Sequence, residues 1–268
     1  MGIVTTKKLQ AGYEKRVVFQ EIDLAVPAGK ITTIIGPNGC GKSTLLKTMG
    51  RILKPRQGAV YLKGQELSRM DTTRIARELA LLPQNPAAPG ELKVEELVAY
   101  GRYPHSRRLQ QPTADDQAII EWAMEITQVA SYRQREIGQL SGGERQKVWL
   151  AMALAQKTEI LLLDEPTTYL DMSHQLEVLK IVEQLNLHHH CTIVMVLHDI
   201  NHAARFSHEI VAMRAGAIIA TGSPAQVITP EVLRKVFHIE ARVLVDDLNG
   251  APVCFSYDTL PRTVSVEQ

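Results

Sequence analysis

The sequence has few cysteines and no long apolar run, and each shortage excludes a class of protein. Its 268 residues include three cysteines, Cys40, Cys191 and Cys254, far apart and without the spacing of a metal site. A sparse, odd count is typical of a reducing compartment, so we expect a cytosolic protein. The longest apolar runs, such as WLAMALA and ILLL, are far shorter than the ~20 residues of a membrane-spanning helix. We also expect no signal peptide, because the N-terminal residues contain no apolar core.

An excess of charge of one sign is also missing. The formal net charge is +1, so we expect no strong attraction to nucleic acid or to an anionic membrane surface. Hydrophobic residues make up 45% and charged residues 22% of the chain, which is ordinary for a globular protein with a real core. The length suits one large domain, or one domain with a substantial subdomain.

Short apolar segments alternate with helical patterns along most of the chain. The segments ITTIIG, EILLLDEP and CTIVMVLHD predict buried strands, and KSTLLKTMGRIL, ERQKVWLAMALAQ and HQLEVLKIVEQL predict helices. This alternation predicts an α/β fold with a mostly parallel sheet. From about Asn85 to Gln139 the pattern changes to charged, amphipathic helix, so we expect a helical insertion there. After about Asp246 the pattern weakens and predicts no clear element.

A glycine-rich segment between a predicted strand and a predicted helix fits the phosphate-loop pattern G-x-x-x-x-G-K-[ST]. Its residues are Gly36, Pro37, Asn38, Gly39, Cys40, Gly41, Lys42, Ser43 and Thr44. The glycines let backbone N–H groups point at phosphates, and the helix N-terminus adds favourable partial charge. We expect Lys42 to reach the β- and γ-phosphates and Ser43 to offer its hydroxyl to Mg²⁺. A coincidental glycine turn is the alternative, which the flanking strand and helix disfavour.

One residue of this loop raises a separate question, because Cys40 precedes the helix. A helix N-terminus lowers the pKa of a thiol, which would make Cys40 reactive. The alternative is a small residue that simply fits the loop.

Polar side chains follow the other predicted core strands. Asp164 and Glu165 end ILLLDEP, and would emerge at the carboxyl edge of the sheet, where α/β proteins bind ligands. Asp164 would hold Mg²⁺, and Glu165 would act as general base on the attacking water, unless both are only a solvated strand end. His198 follows CTIVMVLHD, and this place at a neighbouring strand end favours a catalytic role over a structural one. Gln84 in LLPQN and Tyr13 in AGYEKR give weaker signals, since Tyr13 could stack on a base or lie on the surface.

A second phosphate-binding pattern, LSGGERQ at Leu140–Gln146, places two glycines behind a serine where a predicted helix begins. Together GPNGCGKST, Gln84, LSGGERQ, ILLLDEP, the LD at Leu170–Asp171 and His198, in this order, closely resemble the ATP-binding cassette family. The resemblance covers roughly residues 3 to 240. It implies a RecA-like P-loop NTPase core with a mostly parallel sheet, an antiparallel β subdomain and a helical subdomain insertion.

The resemblance also implies ATP and Mg²⁺ as cofactors and a head-to-tail dimer as the active form. Each ATP would lie between the phosphate loop of one chain and the signature segment of the other. The signature residues that would serve the nucleotide of the second copy are Ser141, Gly142, Gly143 and Glu144.

Four further roles follow from the same resemblance. Asp171 would link the two sites across the interface. His198 would sense the γ-phosphate and help to hold the attacking water. Gln84 would contact Mg²⁺ or its water and report the state of the site to the helical subdomain. Tyr13 fits the adenine-stacking aromatic residue of the family.

Within the family, the chain looks like an ATPase of importers for ferric siderophores, haem or cobalamin. Four segments look closest to the ferric-siderophore branch: VAYGRYPH, QKVWLAMALAQ, DEPTTYLDMSHQLEVL and VLHDINHAARFS. We therefore expect a peripheral ATPase at the cytoplasmic face of the inner membrane, bound to permease subunits and served indirectly by a substrate-binding protein. We expect no nucleic-acid partner.

Three rival functions fit the sequence less well. A soluble cassette ATPase of DNA repair or translation is disfavoured by the compact insertion and the lack of a basic footprint. An exporter half-transporter would need a fused membrane segment. An ATP-binding regulatory module without turnover is disfavoured by the presence of both Glu165 and His198.

The expected division of the chain has three parts. Residues 1–86 and 146–245 would form the ATP-binding core with the β subdomain, and residues 87–145 the helical subdomain ending in the signature motif. Residues 246–268 would be a C-terminal tail of unknown role. His188–His190 could bind a metal, but we expect a solvated loop between a helix and a strand there.

Overall fold

The computed structural model describes residues 2–14, 16–105 and 113–260. Its strands are β1 (Gly2–Tyr13), β2 (Arg16–Pro27), β3 (Ile31–Ile35), β4 (Gln57–Leu62), β5 (Gln65–Glu66), β6 (Leu79–Leu82), β7 (Ile160–Asp164), β8 (Thr192–Val196), β9 (Glu209–Arg214), β10 (Ala217–Gly222), β11 (Ile239–Val245) and β12 (Pro252–Thr259). Its α-helices are α1 (Lys42–Met49), α2 (Thr72–Glu78), α3 (Val94–Ala99), α4 (Ala114–Ile126), α5 (Gly142–Ala155), α6 (Met172–His189), α7 (Ile200–Phe206), α8 (Pro224–Val227) and α9 (Pro230–Phe237). None of the helices within these ranges is long and apolar enough to cross a membrane.

The central sheet has the strand order β10-β9-β3-β8-β7-β6, and every neighbouring pair except β9–β10 is parallel. Strands β3, β7 and β8 are buried at every residue, because apolar clusters cover both faces of the sheet. Leu161 and Leu163 belong to one cluster, and Ile160 and Leu162 to the other. Two buried faces explain why these strands are continuous apolar runs in the sequence. The predicted α/β fold with a mostly parallel sheet is confirmed.

A second, antiparallel sheet has the order β2-β1-β4-β5. It packs against α1 through the apolar cluster that contains Leu9, Phe19, Leu45 and Leu62. The long pair of β1 and β2 ends at Tyr13 and places it beside the loop that follows β3. The β subdomain implied by the family resemblance is therefore present.

Helices α3 and α4 lie in the predicted helical insertion, and they pack on each other and on α5, most of which was assigned to the core. A buried ion pair anchors this bundle, since Arg102 Nε lies 2.7 Å from Asp116 Oδ1. Arg102 also donates to the carbonyl of Ala155 at the end of α5. Burial alone would raise the pKa of Asp116, but the hydrogen bonds from Arg102 and Thr113 lower it to about 2.

The C-terminal residues differ from the sequence expectation, because β11 and β12 form an antiparallel hairpin. The Asn201 side chain of α7 exchanges two hydrogen bonds with the backbone of Cys254. Only Pro252 and Cys254 are fully buried in β12, so its sequence lacks the alternation that predicts a strand. The predicted division at residue 246 falls in the turn of this hairpin and stays a prediction.

Two helix ends also differ from expectation. Helix α1 ends at Met49 rather than at Leu53, the last residue of the predicted segment, since Gly50 caps it by donating its backbone N–H to the carbonyl of Leu46. Helix α6 continues through His189, so the expected loop at His188–His190 is wrong. The ring of His189 instead packs edge-on against Trp122, with the two ring centroids 5.3 Å apart. Within the described ranges, no group of three or more His, Cys, Asp or Glu side chains could hold a metal ion.

Candidate active site

The carboxyl ends of four neighbouring strands, β3, β8, β7 and β6, meet at one edge of the central sheet. Gly36 follows β3, Gln84 follows β6, Glu165 follows β7 and His198 follows β8. An open cleft of about 560 Å³ lies at this edge, a volume typical of sites for small molecules. Its lining residues are Tyr13, Arg16, Val18, Asn38, Gly39, Gly41, Lys42, Ser43, Thr44, Gln84, Glu165, Thr168, Tyr169 and His198.

The loop between β3 and α1 has a backbone that requires glycine. Gly36 has φ 151°, and a Cβ there would lie 2.1 Å from the carbonyl oxygen of Met213. Gly41 has φ 110° and occupies the N-cap position of α1. The loop therefore brings its backbone against β9 on one side and leaves Asn38 and Gly39 facing the cleft.

Lys42 folds back onto this loop. Its Nζ donates hydrogen bonds to the carbonyl oxygens of Gly36, at 2.8 Å, and Pro37, at 3.1 Å. The side chain is buried, yet the residue lines the cleft. The ammonium is thus satisfied by neutral acceptors, and phosphate oxygens would replace them with charged ones.

Of the two interpretations of Cys40, the structure favours the small residue that fits the loop. Cys40 is 3% exposed, and its Sγ lies under Gly36, 2.9 Å from where a Cβ of that glycine would be. Burial raises the pKa of the Cys40 thiol, and this outweighs the opposing charge of Lys42. Cys40 is the small residue that fits; it and Gly36 and Pro37 belong to the loop but do not line the cleft.

Asp164 ends β7 and is 1% exposed. Neither of its carboxylate oxygens accepts a hydrogen bond within the described residues. Lys47 Nζ lies 3.8 Å from Oδ2. Burial raises the pKa of Asp164, against the opposing effects of the nearby Ser43 hydroxyl and the Lys47 charge. An uncompensated buried carboxylate beside a serine hydroxyl is the donor set that Mg²⁺ prefers, so these residues fit the ion.

Glu165 has a left-handed backbone, with φ 54°, and its carboxylate is held by three side chains. Gln84 Nε2 and Thr168 Oγ1 both donate to Oε2, the latter at 3.0 Å. His198 Nε2 lies 2.7 Å from Oε1. The structure therefore brings Gln84, Glu165 and His198 together, as the sequence predicts. Thr168 was missed, and its only sequence signal is a hydroxyl three residues after the acid.

The signature residues do not line the cleft; Ser141 and Gly142 are exposed elsewhere on the chain, and Gly143 is buried. Ser141 caps α5, where its Oγ accepts from the Glu144 N–H at 3.3 Å and its N–H donates to Glu144 Oε2 at 2.7 Å. These bonds with Ser141 hold the pKa of Glu144 below its usual range. Around Gly142 there is open space, since a Cβ built there would meet no other described residue within 4 Å outside its chain neighbours and the backbone of α5.

His174, which sequence reasoning missed, connects the signature segment to Asp171. A Cβ on Gly143 would lie 2.7 Å from Cδ2 of the His174 ring. Nδ1 of the same ring lies 2.8 Å from Asp171 Oδ1. The His174 N–H, its ring and the Ser173 hydroxyl together lower the pKa of Asp171 to about 2. Asp171 is thereby fixed as the N-cap of α6.

The site combines a phosphate loop that holds a buried lysine with a buried aspartate at the end of β7 and a glutamate beside it. Together these features define an ATPase of the P-loop class. The ABC transporter family profile matches residues 19–168. Over 260 residues the chain is 51% identical to the iron(3+)-hydroxamate import ATP-binding protein FhuC of Bacillus subtilis, covering 97% of both chains. It is 40% identical to the ferric enterobactin transport ATP-binding protein FepC of Escherichia coli, covering 92% of this chain and 91% of that protein. The chain belongs to the ABC transporter family and is an ATP-binding ABC ATPase.

Solved structures agree with this assignment. A metal-chelate type ABC transporter in an inward-facing conformation superposes with a TM-score of 0.81 at 25% identity, covering 97% of this chain and 98% of that one. A dimeric bacterial ABC transporter cassette superposes with a TM-score of 0.72 at 25% identity, covering 82% and 98%. The predicted cassette fold is confirmed, and a DNA-repair or translation ATPase is not favoured.

Proposed function

We propose that the protein is the ATP-hydrolysing subunit of a complex that imports a ferric siderophore through a separate membrane permease. The convergence of Lys42, Asp164, Glu165 and His198 on one sheet edge carries the hydrolytic part of this proposal. The cargo part is supported by relatives whose names specify ferric hydroxamate, achromobactin and ferric enterobactin transport. A cobalamin import protein of Halobacterium salinarum is more distant, at 36% identity.

Within one chain, the residues of the cleft would bind the nucleotide and hold the attacking water. Lys42 would exchange the Gly36 and Pro37 carbonyls for β- and γ-phosphate oxygens. Ser43 and Asp164 would hold Mg²⁺, which supplies charge neutralisation of the phosphates. Tyr13, 48% exposed at the rim of the cleft, would stack on the adenine.

Glu165 would accept the proton of the water as it attacks the γ-phosphorus. His198, which lies against Oε1, would turn towards the γ-phosphate and keep the water in line. Gln84 would give up its hydrogen bond to Glu165 and contact Mg²⁺ or its water instead. It would transmit this change to the helical subdomain, which follows it in the chain. Closing the cleft would therefore rearrange the bonds that hold the base.

A second copy of the chain would complete each site. Ser141, Gly142 and Gly143 lie outside the cleft of their own chain, with open space around Gly142. This placement supports a role in which the N-terminus of α5 would meet the γ-phosphate bound by another molecule. Tyr169 and Met172, which flank Asp171, are 87% and 75% exposed, as expected for an interface formed on ATP binding.

The import complex would also contain permease subunits and, indirectly, a substrate-binding protein, and would place this chain on the cytoplasmic face of the inner membrane. ATP would close the dimer, the closure would move the helical subdomain against the permease, and hydrolysis would reopen it.

The test is purification of the full chain with its native permease, followed by ATPase assays in vesicles. Binding protein loaded with ferric hydroxamate, haem or cobalamin is added in separate arms. We expect only the ferric siderophore arm to stimulate turnover. Stimulation by cobalamin or haem alone would contradict the cargo, and failure of the chain to associate with any permease would contradict the import role.

A further inference from the structure

The three side chains that contact the Glu165 carboxylate belong to different segments of the chain. Gln84 belongs to the loop after β6, and His198 to the loop after β8. Thr168 lies in the same turn as Glu165, and its backbone N–H donates to the Glu165 carbonyl at 3.3 Å. Thr168 therefore keeps its distance from Glu165 when the neighbouring loops move.

We propose that Thr168 is a positioning residue for Glu165, whose hydroxyl fixes Oε2 so that Oε1 can face the attacking water once His198 has turned away from it. This rests on the proposed role of Glu165 as general base. Gln84 and His198 have other partners once the nucleotide is bound, so neither can orient the carboxylate throughout the reaction. The Thr168 hydroxyl is the donor that has no second task.

The chemistry of the two groups fixes the direction of this hydrogen bond. An ionised carboxylate only accepts, and a threonine hydroxyl has a single hydrogen to donate. The Oγ1–Oε2 distance of 3.0 Å therefore describes a bond donated by Thr168 to the charged form. Such charge-assisted bonds are stronger than neutral ones.

The backbone limits how Glu165 could orient itself without this bond. Its φ of 54° is sparsely populated for a residue with a Cβ. Pro166 follows, and proline has a fixed φ and no N–H to offer. The turn thus sets the Cα–Cβ direction, but the outer torsion of a glutamate is soft. The Glu165 side chain is only 8% exposed, so few solvent donors can replace a lost hydrogen bond.

Two substitutions separate the hydroxyl from the shape of the side chain. Thr168→Val is nearly isosteric and removes the donor, whereas Thr168→Ser keeps the donor and removes a methyl group. We expect Thr168→Val to lower kcat at least tenfold, with the KM for ATP within about twofold, because the bond orients a transition-state group rather than binding substrate. Thr168→Ser should restore kcat to within about threefold of the wild type.

The control is Thr127→Val, which removes a buried hydroxyl bonded to the Ala123 carbonyl at 2.8 Å in the helical region. It should lower the melting temperature without changing kcat, as a purely structural loss does. All variants are assayed as the full chain in the permease complex, with ATP affinity measured in parallel. If Thr168→Val does not fold, Thr168→Ala is compared with Thr168→Ser in its place.

A double-mutant cycle connects the effect to Glu165. Adding Thr168→Val to Glu165→Gln should lower the residual turnover no further, since both changes act through one group. A kcat for Thr168→Val within twofold of wild type, or an additive double mutant, overturns the proposal. If Glu165→Gln itself hydrolyses ATP like the wild type, the base role in the proposed function fails instead, so the two failures are distinguishable.

Discussion

Asp164→Asn should make the protein more stable without nucleotide and less responsive to Mg²⁺–ATP. In the wild type, neither buried oxygen of Asp164 accepts a hydrogen bond within the described residues. An unpaired buried group costs about 1–3 kcal/mol, and a charged one costs more. Lys47 offsets part of this cost, but at 3.8 Å and with a third of its side chain exposed it resembles a surface pair worth about 0–1 kcal/mol.

The neutral amide still lacks hydrogen-bond partners, so the substitution relieves only the excess cost of the charge; after the loss of the Lys47 pair we expect a net gain of about 1–2 kcal/mol. For a chain of this size, the gain corresponds to a rise of about 2–8 °C in melting temperature. The pH dependence gives an independent check. Because the pKa of Asp164 is raised in the folded state, the wild type should lose stability as pH rises from the usual aspartate range through the raised pKa. The Asp164→Asn variant should lack this slope.

The assay is a thermal melt in EDTA and again in Mg²⁺–ATP, which at 100 times its Kd stabilises a binding protein by about 2.7 kcal/mol. We expect the Asp164→Asn variant to have the higher melting temperature in EDTA, and the wild type to have the higher melting temperature with Mg²⁺–ATP. Asp171→Asn is the control, since Asp171 is hydrogen-bonded and exposed and should give no gain in EDTA. An Asp164→Asn variant less stable than wild type in EDTA would refute the reasoning.

Three further substitutions test the site. Glu165→Gln should keep ATP binding, trap a closed dimer visible by gel filtration, and lower turnover by orders of magnitude; wild-type turnover would remove Glu165 from the base role. Ser141→Arg should abolish hydrolysis yet leave the ATP affinity of the isolated monomer within about twofold of the wild type. An equal loss of ATP binding by the monomer would contradict a role of Ser141 at the nucleotide of a second copy. Gly143→Ala should lower the free energy of unfolding by about 1–3 kcal/mol, because its Cβ would meet His174 at 2.7 Å. In denaturant titrations His174→Ala should recover part of that loss, whereas Gly142→Ala should lose nothing; equal effects at both glycines would argue against the contact.

The sequence predicts the centre of the sheet better than its margins. Strands β3, β7 and β8 are buried on both faces, so their continuous apolar segments are enough to predict them as strands. Strand β1 was not predicted, since its pairing with β2 shifts register at four places and its burial does not alternate. The hairpin strand β12 carries too few buried residues to show a pattern.

The residues of the candidate site also differ in how well the sequence predicts them. Lys42 could be predicted from the phosphate-loop pattern. Glu165 and His198 could be predicted because each closely follows a core strand, and the sheet brings strand ends together. Thr168 and His174 could not, because their contacts depend on turns with positive φ at Glu165 and Tyr169. Spacing along the chain says nothing about such turns. The sequence also left two interpretations of Cys40 open, because its position indicates a helix N-terminus, whereas its burial, which the sequence does not show, raises the pKa of the thiol.

The two carbonyl bonds of Lys42 have a consequence for the release of product. An empty phosphate loop with an unpaired ammonium would resist the departure of ADP, because leaving would strand a buried charge. Here Gly36 and Pro37 supply acceptors at 2.8 and 3.1 Å, so departing phosphates are exchanged for main-chain oxygens already in place. The loop can then stay folded between turnovers, and the next nucleotide enters by displacement rather than by rebuilding the site.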